Sequence, residues 1–133
     1  MSLRKYEPIS DVAFRVMFSL IFIVGGLGHF GKADLMTNRF EASPWADLVS
    51  SIGDPQLMLS LSGVILVVGG VLLLLGYKTH LAALGLFITL VPITFVIHIA
   101  PGHVGPLLKN IALLGGLIHF YIRGAGAYSI DSK

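Results

Sequence analysis

An all-α fold, a four-helix transmembrane bundle, is what this sequence predicts, and three observations predict it. Four apolar runs, at residues 11–30, 57–76, 80–100 and 106–123, each supply 18–21 positions, close to the ~20 that a helix rising ~1.5 Å per residue needs to cross a ~30 Å hydrocarbon core. The runs lack the period-two alternation of barrel strands, and a helix is the open structure that satisfies its own backbone in lipid. Hydrophobic residues make up 55% of the chain and charged residues 12%, with a mean hydropathy of +0.86. That balance gives a water-soluble protein of this size too much apolar surface to hide, and lipid removes the difficulty.

Each element then has its own punctuation. The first run follows Arg4 and Lys5 as a secretory signal would, yet its 20 residues exceed the ~7–15 of a signal core. It reads as an uncleaved span capped by Ser10. In the loop 31–54, Ser43 as N-cap, Pro44 at the first helical position, Asp47 in the first turn and Gly53 as the stop outline a short amphipathic interfacial helix. Its apolar residues are Trp45, Leu48, Val49 and Ile52, with Trp45 suited to the headgroup level. Asp54 and Pro55 open the second span as N-cap and first-turn residue, and Gly76 closes it. Thr79 caps the third, in which Pro92 removes a backbone hydrogen bond and should bend the helix so as to aim His98 at the bundle axis. Gly105 and Pro106 open the fourth. On the second span Ser62, Gly69 and Gly76 share a face with Gly63 and Gly70 beside them, a seam for close helix approach. No repeat divides the chain, so residues 1–133 form one domain.

Four spans place both termini on one side. Arg4, Lys5, Arg15, Lys78, Arg123 and Lys133 fall there, against Lys32, Arg39 and Lys109 opposite, so both termini belong in the cytoplasm of a bacterial inner membrane and the loop 31–54 outside.

Ionisable groups at membrane depth are costly, so their direction matters more than their number. Arg15, Phe18, Phe22, Gly25, His29 and Lys32 follow a three–four spacing on the first helix, and Lys109, Ala112, Gly116, His119 and Arg123 do so on the fourth. Both ridges mix basic with small residues and are expected to point into the bundle. Depth sorts them into two layers. The inner one joins Arg15, His119, Arg123 and Asp131, with Asp131 pairing Arg15 once the flexible Gly124–Ala125–Gly126 segment folds the tail back, and His119 as a hydrogen-bonded core histidine. The outer one gathers His29, Lys32, His98, His103, Lys109 and Asn110 into a donor-rich pocket for a quinone carbonyl, a lipid headgroup or another small anion.

Several classes are excluded or disfavoured. The net charge of +2 is spread singly over helix ends and forms no nucleic-acid patch. Cysteine is absent, so neither a disulfide nor a reactive thiol exists, and redox work by this chain needs a bound cofactor or partner. No nucleophile–base pair or phosphate loop is present, and the chain is not expected to be an enzyme on its own. His98 and His103 do not form a standard metal-ligand pair, and a haem held axially by His29 and His98 is the weaker reading beside a quinone. A transporter running between the two basic layers would need an oligomer, and Phe18, Phe22 and residues 113–117 fill its path with apolar groups. A scaffold that recruits a partner enzyme through the outer helix is the remaining alternative.

The order of these motifs resembles the DoxX family of small four-helix membrane proteins, over nearly the whole chain. The matching features are Arg15 early in the first helix, the glycine-bearing end at 25–28 with Lys32, and the second-helix pattern from Gly63 through the double glycine Gly69–Gly70 to Gly76, followed by Lys78 and Thr79. The tail is the most specific part, with Lys109, Asn110, Gly115 and Gly116 and then Gly124, Ala125, Gly126, Ala127, Tyr128, Ser129, Ile130 and Asp131. The resemblance implies a membrane subunit, since relatives are linked to thiosulfate:quinone oxidoreductase and to membrane complexes handling oxidative and thiol stress. Membrane lipids, a quinone and a redox enzyme are the partners it suggests. One departure stands out. Relatives often carry a glutamate shortly before the double glycine, where Leu66, Val67 and Val68 are all apolar in this chain, which weakens any transferred catalytic role.

Overall fold

The computed structural model describes residues 2–31, 38, 41–42, 44–94 and 104–132. Among them the chain is helical: α1 (Glu7–Gly31), α2 (Ala46–Ile52), α3 (Pro55–Leu75), α4 (Thr79–Ile93) and α5 (Val104–Arg123), with single 3-10 turns at Arg4–Tyr6 and Ile130–Ser132. Three stretches, Arg4–Phe30, Gln56–Leu75 and Val104–Arg123, are long and apolar enough to cross a membrane, and Thr79–Ile93 is a shorter apolar helix. Residues 95–100 of the predicted third span lie outside the described residues.

Local chemistry explains most boundaries. Pro8 sits in the first turn of α1, where its missing N–H leaves no bond unmade, so the helix begins at Glu7 and Ser10 lies inside it instead of capping it. Asp54 caps α3 as predicted, its side chain accepting from the Gln56 N–H with Pro55 behind it, and Gly76 ends the helix in the left-handed conformation. The amphipathic helix starts later than expected. Pro44 and Trp45 form a turn and α2 runs from Ala46 to the predicted stop at Gly53, while Ser43 lies outside the described residues.

In the bundle α1 lies along α3, α3 packs on α4, and α4 on α5. The glycine seam brings α1 and α3 together. A Cβ on Gly26 would stand 2.8 Å from the Gly63 carbonyl oxygen, and one on Gly70 would stand 2.8 Å from Ile23. Gly69 faces the other way, towards Leu86 of α4, so the double glycine serves two neighbours at once. The α1–α5 side is closed by phenyl rings. Phe18 packs against Phe22 and Phe120 with centroids 5.2 and 5.4 Å apart, and Phe14 lies 4.8 Å from Phe120. The core of Phe22, Leu66, Leu73, Ala83, Leu86, Leu90, Leu117 and Phe120 fills the middle. Met17, Val24, Val68, Ile88 and Ile122 are more than half exposed, an apolar exterior that only lipid accommodates without cost.

The inward face of α5 differs from the predicted one. Asn110, Leu117 and Phe120 are buried, whereas Lys109, Ala112, His119 and Arg123 are exposed. A helix turns ~100° per residue, and the larger apolar area of Leu117 and Phe120 wins the inward position over the basic ridge. On α1 the ridge is closer to expectation: Arg15, Phe22 and His29 are buried, with Ser19 and Gly26 inward in place of Gly25.

Candidate functional site

Two polar clusters lie about 21 Å apart along α1, since Arg15 and His29 are 14 residues apart and each residue rises ~1.5 Å. At the tail end Arg15, 3% exposed, holds four carbonyls. Its Nε donates to Leu74 O at 3.1 Å, Nη1 to Ala125 O and Ala127 O at 2.9 Å each, and Nη2 to Tyr128 O at 3.0 Å. Leu74 lies in the last turn of α3, where carbonyls lack helical partners and the helix dipole is negative. The guanidinium thus gathers a helix end and the returning tail in one grip, and Ser19 Oγ donates back to Arg15 O at 2.6 Å.

The predicted Arg15–Asp131 ion pair is replaced by a different arrangement. Asp131 Oδ1 accepts from Lys78 N and Oδ2 from Thr79 N, both at 2.8 Å, while Asp131 N donates to Gly76 O at 2.8 Å. The carboxylate therefore caps α4 from 52 residues away, in the role expected of Thr79. Physically, a planar fork of N–H donors is satisfied by carbonyls, which leaves the carboxylate for the helix N-terminus that most favours it. Asp11 Oδ2 accepts from Ala127 N at 3.2 Å, and Gly126, at φ +81, leaves no room for a Cβ beside the Asp11 carboxylate. His119 is not a core histidine. It is exposed, its ring 5.7 Å from those of Phe14 and Phe120, and it lines a small cleft with Asp11 and Arg123.

The Thr79 side chain, with the N–H groups of Thr79 and Lys78, holds the Asp131 carboxyl below its usual value against the opposing cost of burial. A lowered folded value means the carboxylate's contribution is complete above the ordinary value near ~4 and is lost as pH falls through the folded one. Protection of the amides of residues 124–131, relative to their intrinsic exchange rates, is expected to be high at neutral pH, to fall at acid pH, and to be low at both in Asp131→Ala. Equal protection of variant and parent at neutral pH would refute the cap.

The opposite, loop end holds His29, 4% exposed. Its Nδ1 contacts Leu59 O at 3.0 Å and Ser62 Oγ at 2.9 Å, and Ser62 Oγ donates to the same carbonyl at 2.7 Å. A carbonyl only accepts, so Nδ1 carries a proton, and in the singly protonated ring the lone pair is on Nε2. The ring lines a cleft of about 90 Å³ together with Lys109 and Asn110. Apolar walls come from Ile21, Phe22, Leu66, Leu90, Ile93 and Leu113. Asn110 is buried and already engaged, since Nδ2 donates to Thr94 Oγ1 at 3.1 Å and Thr94 Oγ1 donates to Leu90 O at 2.8 Å. Three of the six predicted pocket residues are thus brought together. Lys32, His98 and His103 lie outside the described residues, and with them the His29–His98 haem pairing. Among the described residues no three His, Asp or Glu side chains are grouped to hold a metal ion.

The Ser62 contact with His29, Thr94 and the cap by Asp131 escaped the sequence reading, which placed Ser62 only in the packing seam. So did His80, whose ring Nδ1–H donates to Tyr121 O. Serine and threonine in apolar helices bond backbone carbonyls routinely, so their type alone singles out none of them.

The DoxX family model matches residues 10–99 of this chain. The chain belongs to the DoxX family. An uncharacterised protein of Haemophilus influenzae is 31% identical to this DoxX chain over 138 aligned residues, 99% of this chain and 96% of the relative. Inner membrane protein YqjF of Escherichia coli is 31% identical over 97% of this chain and 95% of its own length. No solved structure matches. The apolar helices and the inner-membrane relative together support a bacterial inner-membrane location for this DoxX protein.

Proposed function

We propose that this chain is a membrane subunit of a redox assembly, without turnover of its own, whose loop-end cleft takes the oxygen-bearing edge of a quinone or quinol. The convergence of His29, Lys109 and Asn110 on one apolar-walled cleft carries the reading. Flat apolar walls with a few polar groups suit a ring that presents oxygens at its edge. His29 Nε2 accepts from a quinol hydroxyl, and the exposed Lys109 ammonium donates to a quinone carbonyl. At about 90 Å³ the cleft takes a polar ring edge and leaves the apolar chain to the membrane.

The absence of catalysis rests on Leu66, which forms part of the cleft wall in the stretch where DoxX relatives often place a glutamate. Among the described residues no carboxylate lines that wall to relay a proton. The stacked Phe14, Phe18, Phe22 and Phe120 rings between the two polar ends weigh against a transport route. With four spans, the bias of basic residues towards the tail end supports cytoplasmic termini and a cleft on the outer side.

Solvent extraction and mass analysis of the purified protein test the reading. Wild type is expected to retain quinone, with about tenfold less in His29→Ala and in Lys109→Gln, the loss of one charge-assisted or buried hydrogen bond. No retained quinone in wild type, or full retention in both variants, would remove the proposal.

A further inference from the structure

A broad, open cleft lies at the other end of the molecule from the proposed quinone site, where α4 begins and α5 ends. It encloses about 630 Å³, lined by Lys78, His80, Arg123, Asp131 and the turn 124–126. Its charges are unevenly committed. Both oxygens of Asp131 are taken by backbone N–H groups, which fixes the carboxylate on the helix start. Lys78 and Arg123 are exposed, and among the described residues neither forms an ion pair. The Lys78 ammonium rests 5.5 Å over the Tyr77 ring, a contact that leaves its N–H donors available. His80, held by Tyr121 O through Nδ1, has its Nε2 beside Gly124, where a Cβ would approach to 3.7 Å. The cleft is therefore a concave surface with two uncommitted cations and the imidazole edge of His80 beside them.

What lies alongside decides the ligand. Leu81, itself part of the lining, is 66% exposed, and Ile88 on the same helix is 60% exposed; Ile118 and Ile122 of α5 are 48% and 70% exposed. A cationic cleft continues directly into an apolar surface on the two helices that form it. A free anion uses only the first part, whereas a phospholipid uses both, its phosphate between Lys78 and Arg123 and its acyl chains along α4 and α5.

We infer that this tail-end cleft binds the phosphate head group of an anionic membrane lipid. Lys78 and Arg123 donate to the phosphate oxygens, and Asp131 keeps the cleft's rim in place by capping α4. The site is independent of the quinone reading, sharing no residue with that cleft.

Native mass spectrometry of the full chain in detergent tests the inference, with phosphatidylglycerol compared with phosphatidylcholine of identical acyl chains. Phosphatidylglycerol is expected to be retained at least tenfold better. Each basic side chain removed lowers that preference about fivefold, so Lys78→Gln with Arg123→Gln abolishes it. The control removes two charges elsewhere at the same end, Arg4→Gln with Lys5→Gln, and is expected to keep the preference. Should the double variant lose its helical circular-dichroism spectrum, Arg123→Gln alone, at an exposed helix end, carries the test with its fivefold loss. Equal retention of the two lipids, a preference that survives removal of Lys78 and Arg123, or an equal fall in the control overturns the inference. Inorganic phosphate provides the last arm. If it binds in a Lys78- and Arg123-dependent manner while phosphatidylglycerol shows no advantage, the ligand is a soluble phosphate and the lipid assignment falls.

Discussion

Arg15→Ala is expected to cost this protein more than any other single truncation, about 3–5 kcal/mol, because it removes the donors that four carbonyls share. A fully buried acceptor left unpaired carries a penalty of ~1–3 kcal/mol; the Ala125 contact is buried and the other three are part-buried, and the four are coupled, so the sum is less than additive. The guanidinium suits the position for a geometric reason. Its planar fork reaches Leu74 O through one edge and the three tail carbonyls through the other, and it stays charged while doing so. Arg15→Lys keeps the charge but replaces the fork with a single ammonium, and is expected to recover less than half of the loss. Thermal unfolding in mild detergent reads the stability, and limited proteolysis of residues 124–132 reads the tail. If Arg15→Ala unfolds within 1 kcal/mol of wild type, or if Arg15→Lys matches wild type, the grip described above is not what holds the tail.

The same arginine shows where a sequence stops being legible. That Arg15 faces inward was readable, because a charged group on an apolar helix has nowhere else to go. Its partners were not. A carboxylate is the visible complement of a guanidinium, and Asp131 was the nearest in kind, whereas backbone carbonyls are present at every residue and carry no signature. The cap on α4 illustrates the same limit, since a side chain 52 residues away took over a helix start that local rules gave to Thr79. Caps set by neighbours, such as Asp54 with Pro55, were read correctly because donor and acceptor are two residues apart. On α5 the three–four spacing was present on two adjacent faces at once, one basic and small, the other through Asn110, Leu117 and Phe120. Periodicity alone does not choose between faces a hundred degrees apart, and burial of the larger apolar area did. At the loop end the convergence of His29, Lys109 and Asn110 was legible from depth, while the Thr94 anchor that engages Asn110 depends on how α4 and α5 pack.

Gly63→Val is the second substitution expected to act strongly, and it joins packing to the proposed quinone site. Gly63 lies where α3 crosses α1, and a Cβ there would meet His29 Cβ at 2.8 Å, Gly26 O at 3.0 Å and Phe30 Cε2 at 3.0 Å. One of those atoms is backbone and another is the root of a side chain, so neither can swing aside and the helices must separate. Overpacking of this kind costs about 3 kcal/mol, at the upper end of its usual range, with a helix-propensity gain over glycine offsetting less than ~1 kcal/mol. Separation also withdraws His29 from Leu59 O and Ser62 Oγ, which frees the ring to take either tautomer and removes the fixed lone pair. Quinone retention is therefore expected to fall about tenfold in Gly63→Val, in step with His29→Ala. Gly115→Val makes the same chemical change inside a helix at a position where an added Cβ meets nothing within 4 Å. Its expected effect on stability is within ~0.5 kcal/mol of wild type, with quinone retention unchanged. Comparable melting temperatures for the two valine variants would show that the α1–α3 contact is looser than the distances above require, and the link from the glycine seam to His29 would go with it.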